Sequence, residues 1–343
     1  MNHYLNAAAV CGFIAAWTPC FAQEADRIYP KTGITVTGKI VEVTRDHVVA
    51  DVRGTKENYP SNTIQRIVYE TEPAQLSRAK ELILSDQWED ALESLKKVDT
   101  KSLLRKEVEN EFLFYSGRVQ SHLALQGHGD PQVAETQLLK FVQSDPQSYH
   151  FYPTSDALGT LAMATGAYDK ASKYFAAMAR APFPEYKIKA QYMVGVATLA
   201  LGKVAEARAA FEAASSISAD NAEAKRFRKL SQLGLLRCDS ADKKVDEAIK
   251  NLRVMVSEND ATDSQLFAQI YNALGDAHRR AGQEEEALLA YLHTDLLFTS
   301  EPDSHAEALY YLSQLFLKTD PQRAADAKSR LQSLYTHSAW AKK

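Results

Sequence analysis

Seven alanines recur along this chain at intervals of 36–43 residues, and each is followed four positions later by a large apolar side chain. The pairs are Ala91 with Leu95, Ala134 with Leu138, Ala171 with Phe175, Ala207 with Phe211, Ala248 with Leu252, Ala287 with Tyr291 and Ala327 with Leu331. Positions i and i+4 share one face of a helix. A small and a bulky residue on the same stripe, repeated seven times, require a structure assembled from like helical units. Such units bury their apolar faces only against one another, so the pattern points to a stack.

The segments between the pairs repeat as well. Leu158-Gly159, Val194-Gly195 and Leu274-Gly275 place a glycine twelve residues before the repeat alanine, and Leu233-Gly234 places one fourteen before Ala248. Glycine inside a helix costs about 1 kcal/mol relative to alanine. Its return at one site in the unit implies that two helices approach closely there. Short turns recur too, at Ser85-Asp-Gln-Trp88, Thr165-Gly-Ala-Tyr168, Leu201-Gly-Lys-Val204 and Ala281-Gly-Gln-Glu284.

This order of Leu-Gly, Tyr or Trp at the turn, Ala, then Phe or Leu resembles the tetratricopeptide repeat family, best in residues 158–178, 194–214 and 274–291. The resemblance covers residues ~74–340, six or seven hairpins. The unit ending at Leu138 departs from it through a lengthened turn over residues 126–131, and the last unit has Ser313 where the glycine belongs. The intervals exceed the family's ~34 residues, so some loops between units are long, as at Ala181-Pro-Phe-Pro184; a general α-solenoid is the alternative. The resemblance implies a mainly α protein, an α-α superhelix (a solenoid of this type) over residues 73–343, with a concave groove lined by the first helix of each hairpin. Placing the glycine pairs in the family's frame directs Phe114, Arg118, Tyr192, Asn272, Asp276, Arg279, Tyr310 and Gln314 toward that groove. A groove of mixed aromatic and charged side chains suits extended or helical peptides, with the aromatics as anchors.

Ahead of the helices, residues 33–70 alternate with period two and are rich in β-branched side chains between Gly, Pro, Asn and Asp signals. Four or five short strands are expected. A sheet so small usually buries its face by bending into a barrel. The phrase Gly38-Lys-Ile-Val-Glu-Val43, a hairpin, and Ile64-Gln-Arg-Ile67 resemble Sm-like or SH3-like small barrels over about 40 residues. Residues 23–72 are therefore read as a small β-barrel-like domain that caps or docks, with Pro73 opening the first helix.

Residues 5–17 (LNAAAVCGFIAAW) are apolar and uncharged, Thr18-Pro19 breaks them, and Cys20-Phe-Ala22 supplies small residues at −3 and −1. That is the pattern of a secretory signal over residues 1–22 with cleavage after Ala22, although the leading segment has His3 where Lys or Arg is usual. The run is too short to span a bilayer, which takes ~20 apolar residues. Cys11 and Cys20 lack the small preceding residue of a lipoprotein signal. Cleavage would leave Cys238 alone, with no intramolecular disulfide to form. A periplasmic or secreted protein without an integral membrane segment is expected.

A net charge of −4 gives no electrostatic case for nucleic acid. No nucleophile elbow, phosphate loop, HExxH or paired-cysteine pattern is present, so no catalytic residue, cofactor or metal is assigned. Cys238 in a helical stripe is read as a small buried hydrophobe. His122, His128 and Asp130 are read as a polar loop, residues 149–153 (YHFYP) as packing between repeats, residues 225–229 (KRFRK) as a solvated helix face, and residues 335–343 as a terminal cap. The expected function is that of an extracytoplasmic scaffold that catalyses nothing and binds a protein or peptide partner in its groove. The alternatives are a structural subunit of a cell-envelope assembly, or a solenoid holding a small ligand or metal near His122–Asp130.

Overall fold

The computed structural model describes residues 25–343 apart from positions 243 and 261. The expected secretory signal, its cleavage site after Ala22, and Cys11 and Cys20 lie outside the described residues. Among the described residues, five antiparallel strands come first: β1 (Asp26–Pro30), β2 (Val36–Val43), β3 (His47–Val52), β4 (Thr55–Pro60) and β5 (Ile64–Val68). Their order in the sheet is β4-β3-β2-β1-β5. Arg53 and Gly54 join β3 to β4 with φ of 56° and 86°, the positive values that a two-residue hairpin loop of matching twist needs.

β1 and β4 were not foreseen. β4 reads Thr-Lys-Glu-Asn-Tyr-Pro, almost wholly exposed, and an outer edge strand has no apolar alternation to betray it. The closed barrel expected from the sequence is not what the strand pairing forms: β4 and β5 are the two edges, and no pairing joins them among the described residues. The sheet does not need to fold on itself, because helices cover its apolar face. Ile28, Ile40, Val48, Ala50, Ile64 and Ile67 share one core with Leu76, Ala79, Ile83 and Val108.

Fourteen helices follow in seven antiparallel hairpins: α1 (Ala74–Leu84) with α2 (Trp88–Lys96), α3 (Lys106–Leu125) with α4 (Pro131–Ser144), α5 (Phe151–Ala164) with α6 (Tyr168–Met178), α7 (Pro184–Ala200) with α8 (Val204–Ser216), α9 (Ala222–Ala241) with α10 (Val245–Glu258), α11 (Ser264–Arg280) with α12 (Glu284–Leu297), and α13 (Pro302–Leu315) with α14 (Pro321–Leu334). Every repeat alanine sits on the second helix of its hairpin, and all fourteen members of the pairs are buried. Where the turns repeat in sequence, their second residue is in the left-handed region: Asp86 at φ 55°, Gly166 at 80°, Gly202 at 76° and Gly282 at 77°.

The glycines mark close approaches, as their recurrence implied. A β-carbon on Gly159 would lie 2.5 Å from the Phe175 ring, and one on Gly275 would lie 2.7 Å from Tyr291. Gly117 does the same for Leu138 at 2.7 Å, which supplies the glycine of the hairpin with the lengthened turn. Gly234 departs from the frame because its neighbour is not Leu252 of its own hairpin but Phe211 of the one before.

A buried polar network fastens the sheet to the first hairpins. Lys80 Nζ donates to Ile67 O and Glu72 Oε2, each at 2.6 Å, and lies 2.6 Å from Glu111 Oε2. Glu111 Oε1 in turn accepts from Tyr149 Oη at 2.9 Å and lies 2.9 Å from His150 Nε2. Arg105, at the start of α3, holds the buried Asp26 of β1 through both carboxylate oxygens, at 2.6 and 3.1 Å. Further along, Tyr152 Oη donates to Asp46 Oδ1 at 2.7 Å, Arg45 stacks 3.7 Å over Phe151, and Asn62 Nδ2 donates to Glu185 Oε1 at 2.6 Å. The aromatic run 149–153 packs mostly between repeats, as expected, with His150 on Phe114 and Phe141 of hairpin two and Tyr152 against Phe183 and Tyr186. It also meets the strand-rich head through Phe151 and the Tyr152 hydroxyl. The sheet caps the N-terminal ends of α3, α5 and α7.

Candidate functional site

Successive first helices touch along the stack, α7 with α9, α9 with α11 and α11 with α13, whereas second helices of adjacent hairpins make no comparable contact. A row of hairpins that crowds one helix of each pair must curve with that helix inside. The inner face therefore belongs to the odd-numbered helices, and side chains on it reach past their neighbours. Tyr192 Oη of α7 donates to Gln269 Oε1 of α11 at 3.0 Å, skipping α9. Arg237 Nη2 of α9 donates to Gln269 O at 3.2 Å and to Glu307 Oε2 of α13 at 3.5 Å.

Asp303, Glu307, Tyr310 and Gln314 recur along α13 at helical spacing and lie on one face of it. Glu307 is the junction of this surface, because it also accepts from Asn272 Nδ2 at 2.9 Å. Burial opposes charge on Arg237, yet the Glu307 and Asp276 carboxylates outweigh it and raise the guanidinium above the ordinary arginine value. Asp303 is exposed on the same face of α13, and desolvation, then the Glu307 charge, raise its carboxyl above the usual range. Burial pushes Asp276 upward too, but hydrogen bonds from Arg280 at 2.7 Å and Arg279 at 2.6 Å hold it below. The face is a fixed mosaic of carboxylates, guanidinia and rings.

Five of the eight side chains expected in the groove are at least partly accessible, and four of those cluster. Asp276, Arg279, Tyr310 and Gln314 lie on α11 and α13, with the Arg279 guanidinium 5.0 Å over Tyr311 and the Tyr310 ring 5.5 Å from Trp340. Arg118 is apart from them, over Trp88 of the first hairpin at 5.8 Å. Phe114, Tyr192 and Asn272 are corrections. Phe114 stacks 3.6 Å on His150 in the core of hairpin two, Tyr192 packs between Phe211 and Phe227, and Asn272 is fully buried against α13. Phe114 shares a helix face with Arg118, as Asn272 does with Asp276, so they are closed off by the elements packed over them, His150 on Phe114 and α13 on Asn272, and not by the register of the helix. Arg237, Asp303 and Glu307 were missed, although stepping back along α13 from Tyr310 by three and then four residues reaches the last two.

The remaining candidates have local partners. His122 stacks 3.8 Å on Trp88, His128 lies 3.5 Å from Glu89, and Asp130 caps α4 by accepting from Gln132 N at 2.8 Å. Among the described residues no group of three His, Cys, Asp or Glu side chains is placed to hold a metal ion. Cys238 is fully buried, and burial pushes its thiol up to about 11. In the basic run, Arg228 donates to the Ile217 and Ala219 carbonyls and Lys229 to Asn259 Oδ1. No described helix is long and apolar enough to cross a membrane.

Antiparallel hairpins stacked with one helix of each pair inside define an α-solenoid. Residues 157–222, most of hairpins three and four, match the family model for the tetratricopeptide repeat. The fold is similar to that of a tetratricopeptide repeat protein from Parabacteroides merdae, at 15% identity and a TM-score of 0.54 over 78% of this chain and 96% of that one. It is similar also to a Rap protein in complex with Competence and Sporulation Factor, at 12% identity and a TM-score of 0.55 over 78% and 76%. At these identities the likeness is one of fold. No curated protein matches the chain.

Proposed function

We propose that this protein is an extracytoplasmic scaffold that binds segments of other proteins along the inner face of α9, α11 and α13 and catalyses nothing. The observation that carries the reading is the mosaic around Glu307: charged and aromatic side chains fixed by their neighbours on rigid helices, facing a groove. Preorganised groups of this kind lose little entropy when a peptide binds. The Rap protein of similar fold was crystallised with a factor bound, which supports the same use of the fold here. Export rests on the apolar run 5–17 and the Ala22 site, which lies four residues ahead of β1. The strand-rich head serves as a cap.

Asp303→Arg tests the groove, since Asp303 is exposed on the face of α13 that carries Glu307, without a structural partner among the described hydrogen bonds and ion pairs. Affinity capture from an envelope extract should recover a partner with the wild-type chain and lose it with the variant. Equal recovery would sink the groove assignment.

A second reading, a subunit packed within an envelope assembly, is favoured by one feature. Leu289, Leu296 and Leu297 on α12 are 58%, 71% and 64% exposed. Size-exclusion chromatography with light scattering separates the two, because assembly through this stripe requires a self-associated species that Leu296→Glu breaks.

A further inference from the structure

The last residues of the chain leave α14 without regular secondary structure and turn back across the molecule. Ala339 N donates to Ala164 O at the end of α5 at 2.8 Å. Gly166 makes room for that contact, because a β-carbon there would lie 3.1 Å from the Ala339 methyl. Beyond it, the Trp340 ring sits 5.5 Å from Tyr310 and 5.6 Å from Tyr311. Lys343 Nζ lies 3.6 Å over Trp340 and 5.4 Å over Tyr310. The tail thereby bridges hairpin seven to hairpin three. Beside it remains a cavity of about 300 Å³ lined by Asp130, Glu135, Thr165, Lys170, His337 and Lys342.

We infer that residues 338–343 are an internal ligand of the groove, and that the place they occupy takes a partner segment of the same chemistry: an extended stretch with one aromatic side chain followed by lysines. This inference rests on the groove reading above and specifies its partner. The contacts are those of a recognition anchor: one backbone hydrogen bond, an aromatic ring on two tyrosines, and a cation over the rings. Glu307, on the same face of α13 as Tyr310, supplies a carboxylate toward the lysine end. A tail tethered so closely has an effective concentration on the order of millimolar, so weak contacts suffice to seat it. A partner segment with better contacts displaces it.

The probe is the labelled hexapeptide Ser-Ala-Trp-Ala-Lys-Lys, titrated by fluorescence anisotropy against the full chain and against two variants that unseat the tail. Trp340→Ala removes the anchor, and Ala339→Pro removes the donor to Ala164 without touching the core. The peptide should bind both variants, and should bind wild type about tenfold more weakly or worse, since the tail leaves only a fraction of molecules open. A peptide with alanine in place of tryptophan should bind none of them, and Tyr310→Ala added to either variant should abolish binding. Equal binding to wild type and variants, or no binding to variants that keep the wild-type circular dichroism and melting point, overturns the inference. Partner capture that depends on Asp303 while the peptide fails would leave the groove reading standing and remove the tail from it.

Discussion

A β-carbon on Gly234 of α9 would lie 2.5 Å from the ring of Phe211 in the hairpin before it, and one on Gly195 of α7 would lie equally close to the same ring. Phe211 is thus the wedge between three helices, and it sets how tightly hairpins four and five stack. Gly234→Ala should destabilise by about 1–2 kcal/mol, because overpacking outweighs the gain in helix propensity. In a Phe211→Leu background the same change should cost far less. Urea denaturation of the four proteins of this cycle reads the coupling, and independent effects would mean that the slot is not tight.

Tyr291 occupies the position held by Phe175 and Phe211 in other hairpins, and its buried hydroxyl has no hydrogen-bond partner among the described residues. An unsatisfied buried polar atom costs about 1–3 kcal/mol. Tyr291→Phe should therefore leave the thermal midpoint unchanged or raise it. A clear loss would reveal a partner for that hydroxyl.

The turn at Asp86 uses a left-handed backbone that glycine supplies at Gly166, Gly202 and Gly282. Asp86→Gly should stabilise the first hairpin by up to about 1 kcal/mol, and Gly202→Ala should cost a similar amount. Thermal melts of both variants give the signs directly.

The network around Lys80 makes a pH prediction. Burial pushes the Glu111 carboxyl up, but Lys80 and His150 outweigh it and hold it at about 2, against an ordinary 4.5. Its contribution to stability is present above pH 4.5 and is lost as the pH falls toward 2. Burial lowers the His150 pKa from 6.5 despite Glu111, so its contribution is full above 6.5 and fades below. Glu72, raised by burial, runs the other way. Wild type should lose stability on acidification from pH 7 to 3. Lys80→Met should cost about 3–5 kcal/mol at neutral pH by leaving buried carboxylates unpaired, and should regain part of that on acidification as they take up protons. A variant that melts in parallel with wild type across this range would contradict the network's role.

Cleavage after Ala22 predicts a mature chain beginning at Gln23. Intact-mass measurement of protein recovered from the envelope fraction should find that species, and a full-length mass there would remove the proposed signal.

The helical stack was legible because its rule is local. An alanine and a bulky residue one turn apart identify a buried stripe, and all seven pairs prove buried on second helices. The sheet was half legible: β2 and β3 alternate, but β4 carries its residues on an exposed edge, where no burial pattern is imposed. The sheet stays open because helices cover its apolar face, a tertiary fact invisible in residues 33–70. The groove was the least legible part. Arg279, Tyr310 and Gln314 are at least partly accessible on α11 and α13, whereas Phe114, Tyr192 and Asn272 are buried, the last two tied into the inner layer through Gln269 and Glu307. Arg237 was out of reach, because its place follows from the curvature that brings α9 to Glu307 of α13.

The central claim is that a partner lies along the inner face of α9, α11 and α13. A photo-crosslinking amino acid at Gln314, on that face, and at Leu296, on the outside of α12, compares the two surfaces in intact cells. A discrete adduct should form from position 314, vanish when Asp303→Arg is added, and be absent from position 296. Adducts from position 296 alone, or a position-314 adduct indifferent to Asp303→Arg, would contradict the account.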